Sequence, residues 1–184
     1  MSTDSREKIM AAGREIAQAR GYGGLNFRDI AEKVGIKAAS LYHHFPSKED
    51  LGVAIARRYW EESSAELEAL SASDPLSGLK RYPETFRRAL ANENRMCLCS
   101  FMAAEYDDLP EALKVEVQTF ADVNIAWLRK NLIAASVVAP RAAEARARAI
   151  YAAVVGAQLM ARSRSDLALY DAIIAGFRSS GLIP

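Results

Sequence analysis

The sequence predicts an all-α fold of about nine helices: a three-helix module at the N-terminus, then a larger helical domain. Three observations predict it. Apolar residues recur at three-to-four spacing through nearly the whole chain. Val and Ile occur but never in clean alternation, and no Asn-Gly or Asp-Gly hairpin signal interrupts them. The periodic stretches are separated by Gly, Pro, Asn and Ser, the residues that end helices rather than strands.

The first helix is expected over residues 5–20, with Ile9, Ala12, Ile16 and Ala19 on one face. Gly21 and the Gly23-Gly24 pair stop it. The second opens at Asn26, an N-cap residue with Asp29 three positions on, and ends near Val34, before Gly35. A short third helix covers 38–44 and is closed by Pro46. Ser47 caps the fourth, with Asp50 at the capping-box position, and that helix runs to about Leu70. Residues 71–77, with Ser73, Asp74 and Pro75, form a break. Further helices follow over 76–91, 96–106, 111–133, 141–162 and 166–179, punctuated by Asn92, Asn94, Pro110, Pro140 and Ser163. Nothing interrupts the chain between Leu51 and Leu70, so the domain boundary falls inside the fourth helix. Residues 1–50 form the first domain and 51–184 the second.

A chain of 184 residues can bury a core without staples. Its net charge of +1 gives no global basic field, and eight Lys and Arg in residues 1–50 face seven Asp and Glu. A nucleic-acid surface must therefore come from local placement. The N-terminus is polar, without a charged-then-apolar signal segment, and no run approaches the roughly 18–20 apolar residues of a membrane span. The expected location is cytoplasmic, with no membrane partner.

Residues 27–46 fit the helix-turn-helix template position by position. The fifth residue must be small where the helices cross; it is Ala31. The ninth starts the turn with a left-handed backbone; it is Gly35. The fifteenth plugs the second helix onto the first; it is Leu41. The fourth, eighth and tenth should be apolar; they are Ile30, Val34 and Ile36. An ordinary αα-corner shares the Gly and part of the apolar pattern. The six constraints met in one 20-residue window favour the DNA-reading motif.

The stretch GYGGLNFRDIAEKVGIKAASLYHHFPSKEDL, residues 21–51, resembles the DNA-binding domain of the TetR family of transcriptional regulators. The Gly-Tyr after the first helix, RDIAEKVGI and LYHHFPSKEDL are its strongest marks. The likeness is specific over residues 5–55. It is weaker beyond, where RMCLCSFMAAEYDDLP, residues 95–110, is similar to a sixth helix in one branch of the family. The resemblance implies a helix-turn-helix domain followed by a helical ligand-sensing and dimerisation domain. It implies a repressor that binds a palindromic double-stranded DNA operator as a homodimer and is released by an unknown small-molecule effector. No enzymatic activity and no cofactor are implied.

In this frame the recognition helix presents its N-terminus to the major groove. Lys37, Ala38, Ala39, Ser40 and His43 take exposed positions around Leu41, while Leu41 and Phe45, one turn apart, face inward. Ser40 and Tyr42 can donate hydroxyl bonds to phosphates, Lys48 can reach another phosphate, and Arg28 a phosphate or a guanine edge. Tyr42 also reads as a packed surface aromatic and Lys48 as a solvated charge. Ala38 and Ala39 offer only methyl groups where many relatives carry a longer side chain. Base reading then falls on Lys37, Ser40, His43 and Arg28, with thymine-methyl contacts and DNA shape as further contributions.

A single module of this size reads one half-site, so a dimer is expected. Ala149, Ala153, Gly156, Ala157 and Met160 line one side of the helix over 141–162 with mostly small residues that permit close packing. Tyr170, Ile173, Ile174 and Phe177 form an apolar stripe on the last helix. In the family the corresponding helices make a four-helix dimer interface; packing onto the chain's own core is the alternative, and some of the set must do so. The candidate ligand pocket comprises Tyr82, Phe86, Cys97, Phe101, Met102, Phe120, Asn124 and Trp127. Plain core packing explains each aromatic alone, and the collective reading rests on the family. Asn124 is the informative member, because an amide on an apolar face needs a partner.

Cys97 and Cys99 are too few for a disulfide framework. They read as buried structural thiols or, with Arg95 near, as a redox pair. Metal binding has too few ligands, the two histidines, His43 and His44, lying in the DNA-reading segment. An all-α enzyme and a non-specific architectural DNA-binding protein are the rival classes. The enzyme reading lacks a histidine outside residues 43–44, a phosphate-cradling Gly loop and a nucleophile elbow.

Overall fold

The computed structural model describes residues 3–184, with side chains from Ser5 onward. Among the described residues the chain is helical, without strands. The elements are α1 (Thr3–Arg20), α2 (Phe27–Val34), α3 (Ala38–Tyr42), α4 (Lys48–Ser71), α5 (Pro75–Ala91), α6 (Leu98–Ala104), a 3₁₀ turn (Tyr106–Asp108), α7 (Glu111–Ala134), α8 (Pro140–Arg164) and α9 (Leu167–Ser179). No helix among these residues is long and apolar enough to cross a membrane.

The capping residues act as the sequence predicts. The Asn26 side chain accepts from the Arg28 amide at 2.8 Å and starts α2. Ser47 Oγ accepts from the Asp50 amide at 3.1 Å and donates to the Asp50 carboxylate at 2.7 Å, fixing the start of α4. Asp74 and Asp166, not read as caps from the sequence, accept from first-turn amides of α5 and α9. Gly35 ends α2 with φ +75°, and the Ile36 amide reaches back to the Ala31 carbonyl at 3.0 Å, a Schellman closure.

Two helices are shorter than the periodicity suggests. α3 stops at Tyr42 because the amides of His44 and Phe45 both turn back to the Leu41 carbonyl, tightening the last turn ahead of Pro46. α6 begins at Leu98, after extended backbone at Cys97, and stops at Ala104. Asp107 and Asp108 lie where a longer helix would put its negative dipole end, and the chain takes a 3₁₀ turn there instead. The buried face of α1 also differs: Ile9, Met10, Ala12 and Ala17 are buried, Ile16 is half-buried and Ala19 is exposed.

The chain divides into two compact units. One holds the chain up to Glu61 together with Cys97–Thr119; the other holds Glu62–Met96 and Phe120–Pro184. The division lies inside α4, after Glu61, and it assigns α6 and the start of α7 to the N-terminal unit. The reason is side-chain contact rather than sequence order. Glu116 of α7 accepts from Arg57 of α4 at 2.6 and 3.0 Å and from the Trp60 indole at 2.7 Å, and Glu7 of α1 takes both arms of Arg58. In the second unit, α5 carries Pro83 in its interior. Side-chain donors from α8 and α9 meet its carbonyls: Gln158 at Phe86, Tyr170 at Pro83 and Arg178 at Lys80.

Candidate nucleic-acid interface

Burial decides how α3 is held. Leu41 is fully buried and Phe45 nearly so, as are Ile30 and Ala31 of α2, the helix against which α3 packs. The small Ala31 side chain allows the two helices to approach. With Leu41 and Phe45 inside, Lys37, Ala38, Ala39, Tyr42 and His43 are exposed, and Ser40 is half-buried. Tyr42 keeps 57% of its surface open while its ring leans on Phe27, centroids 4.9 Å apart. That contact orients a side chain that would otherwise sample several rotamers. Arg28 is exposed on the first turn of α2, its backbone amide already taken by the Asn26 cap.

Lys48 is held more firmly than a solvated charge. Its ammonium lies 4.4 Å from the Tyr22 ring centroid and donates to the Gly23 carbonyl at 3.3 Å. An ammonium has three donors, so the contact places it without exhausting it.

In the second unit, five of the pocket candidates come together. Tyr82 stacks on Trp127 at 5.7 Å, and Phe86 meets Tyr82 and Phe120 edge-on at 5.6 and 6.5 Å. Asn124 finds its expected partners: the Tyr82 hydroxyl donates to Oδ1 at 3.0 Å, and Nδ2 donates to the Phe120 carbonyl at 2.8 Å. All five are buried. The other three candidates, Cys97, Phe101 and Met102, belong to the first unit. A cleft of about 260 Å³ opens between the second half of α4 and α7, lined by Ser64, Leu67, Val123, Ala126, Trp127 and the Glu68–Lys130 ion pair.

The candidate dimer residues divide by burial. Ala149 and Met160 are exposed, and Ala153, Gly156, Ile173 and Phe177 are half-exposed. Ala157, Tyr170 and Ile174 are buried within their own chain; the Tyr170 hydroxyl donates to the Pro83 carbonyl at 2.7 Å, which turns this residue inward. Leu159, not foreseen, is 57% exposed on α8.

Both cysteines are buried and unbridged. Burial lifts both thiols above the ordinary range, Cys99 strongly, the opposite of an activated thiolate. Arg95 pairs with Glu93 at 2.5 Å.

Among the polar residues the sequence reading missed are Glu116 and Gln158, both buried, and Glu105, whose carboxylate accepts from the backbone amides of Tyr22 and Gly23. Burial alone would lift the Glu116 carboxyl, but the bonds from Arg57 and Trp60 outweigh it and hold the group below its usual range.

A helix-turn-helix with its second helix locked from behind and open in front defines a DNA-binding transcriptional regulator. Residues 9–55 match the family described as bacterial regulatory proteins, tetR family. A TetR transcriptional regulator from Legionella pneumophila has the same fold at a TM-score of 0.88, 28% identical, with 98% of this chain and 97% of that one covered. A TetR-family regulator from Agrobacterium tumefaciens superimposes at 0.86 and is 31% identical, covering 92% and 93%. The HTH-type transcriptional repressor NemR of Escherichia coli K12 is 28% identical over 134 residues, which span 70% of this chain and 67% of that repressor. The chain belongs to the TetR family.

Proposed function

We propose that the protein is a repressor that binds a near-palindromic operator as a homodimer and releases it when a small molecule enters its second unit. The observation that carries this reading is the exposed set Lys37, Ala38, Ala39, Tyr42 and His43, with the half-buried Ser40, around a plug formed by Leu41 and Phe45. Arg28 and Lys48 flank it. Of these, Lys37, Ser40, His43 and Arg28 are the base-reading candidates, and Tyr42 and Lys48 contact phosphates. The NemR likeness supports repression.

The dimer is proposed through the outward faces of α8 and α9: Ala149, Ala153, Gly156, Leu159 and Met160 with Ile173 and Phe177. A Cβ placed on Gly156 would meet no atom of its own chain within 4 Å, so close approach there is left for a neighbouring helix. The effector site is proposed in the second unit around Trp127 and Asn124, with the adjoining cleft as its mouth. At about 260 Å³ the cleft is smaller than the roughly 300–1,000 Å³ of ordinary ligand pockets, so a ligand would have to be small or open the site further. α4 lines that cleft with its later turns and begins at Lys48, so a ligand that shifts its angle changes DNA affinity, and linkage requires DNA to weaken the ligand equally.

Fragments of the source genome retained by the protein give the operator, and sedimentation with labelled duplex gives the stoichiometry. Two copies on one near-palindromic site are expected. A protein that stays monomeric at micromolar concentration and retains no duplex overturns the reading. The controlled genes then suggest ligands to test; Trp127→Ala is expected to abolish their effect while leaving DNA affinity of the free protein nearly intact.

A further inference from the structure

We infer that Glu105 is a positioning residue for DNA binding, its carboxylate setting the turn that holds the Lys48 ammonium in place. The inference rests on the DNA-binding reading above. The Glu105 carboxylate accepts from the Tyr22 amide at 2.6 Å and from the Gly23 amide at 3.1 Å. Two successive backbone N–H groups form a concavity for an anion, and here a side chain of the same unit fills it. Gly21 makes this possible. It has φ +73°, and a Cβ there would lie 2.2 Å from the Glu105 Oε2.

The carboxylate is itself well anchored. The Glu105 amide closes α6 on the Met102 carbonyl at 2.9 Å, and its own carbonyl accepts from Asp108 at 2.9 Å in the following turn. Met102 and Leu109 on either side are buried. On the other side of the turn, the Gly23 carbonyl and the Tyr22 ring are the two groups that hold Lys48. A chain of direct contacts therefore runs from the end of α6 to the first residue of α4, where a phosphate contact is proposed.

Charge and position pull in opposite directions here, which makes the idea testable. Deleting a carboxylate near a DNA-binding face should tighten binding if only the field matters. If Glu105 positions Lys48, deleting it should weaken binding. The probe is the duplex selected from a random pool by the unaltered protein. Glu105→Gln can serve only one of the two amides, and Glu105→Ala neither. Expected are fast hydrogen exchange at the Tyr22 and Gly23 amides with α1 still protected, and about tenfold weaker binding from the lost charge-assisted contact. The salt slope should fall by about 1, as for one lost Lys–phosphate contact, and adding Lys48→Ala should cost nothing further. Equal or tighter binding, an unchanged salt slope, or full additivity with Lys48→Ala would overturn the inference while leaving the regulator reading intact. An unaltered protein that selects no duplex would overturn both.

Discussion

Gly35→Ala isolates the cost of one backbone conformation. Gly35 sits at φ +75°, between α2 and α3, and a Cβ there would meet nothing within 4 Å. Steric overlap with neighbours therefore contributes nothing. What remains is the left-handed penalty of about 1–2 kcal/mol for a residue with a Cβ. It is offset by about 0.4–1 kcal/mol, because Ala restricts the unfolded chain. The net loss is about 1 kcal/mol, a fall in thermal midpoint of about 2–4 °C for a chain of this size. Gly35→Asn should lose less, since Asn tolerates this region. Urea unfolding followed by helical signal measures the loss, and retardation of the operator duplex tests function. Because the turn keeps its shape, DNA affinity should stay within about twofold below the melting range. A loss above about 3 kcal/mol, or a folded variant that no longer binds, would show an unrecognised contact at this position. A stabilised variant would show that the turn is not left-handed in solution.

Lys48→Ala should weaken binding to all duplexes and lower the salt slope by about 1, whereas Tyr42→Phe should weaken it with the slope nearly unchanged; a salt titration of retardation separates them. Lys37→Ala and Arg28→Ala should relax sequence preference in a selection, and an unaltered preference in both would assign specificity to DNA shape. Glu116 is held below its ordinary value of 4.5, so its contribution to stability is complete above that pH and is lost as pH falls through the lower folded value. Glu116→Gln should accordingly show a shallower loss of stability on acidification, measured by urea midpoints across that range. Cys97 and Cys99 should resist a thiol reagent at neutral pH until the protein is unfolded, because burial both covers them and lifts their pKa.

Much of the DNA-binding module was legible because each of its constraints is local. Asn26, Gly35 and Ser47 act on amides within a few residues of themselves, and Leu41 and Phe45 are one turn apart. Less of the rest was legible, since it depends on which helices meet. Tyr170 reads as part of a continuous apolar stripe, and its burial and its bond to the Pro83 carbonyl reveal that it faces inward. Glu116 shares a helical face with Leu113, Val117 and Phe120, and it escaped the sequence reading because its partners Arg57 and Trp60 lie more than fifty positions earlier in the chain. Glu105 gave no signal, because the groups it serves are backbone amides more than eighty positions earlier in the chain.

Proline in the interior of α5 also constrains how the proposed dimer could be split. Pro83 supplies no amide to the turn before it, and α9 brings Arg178 to the Lys80 carbonyl and Tyr170 to the Pro83 carbonyl. Arg87 and Asp171 add a two-pronged ion pair between the same helices. Trimming the chain before α9 would strip these groups from α5 and uncover the apolar surface beneath Ile174. Charged replacements at Leu159 and Met160, which α8 already presents to solvent, leave every one of those contacts in place. If the proposed dimer forms through α8 and α9, a monomer for spectroscopy should be sought at those two positions, with the C-terminal helix kept whole.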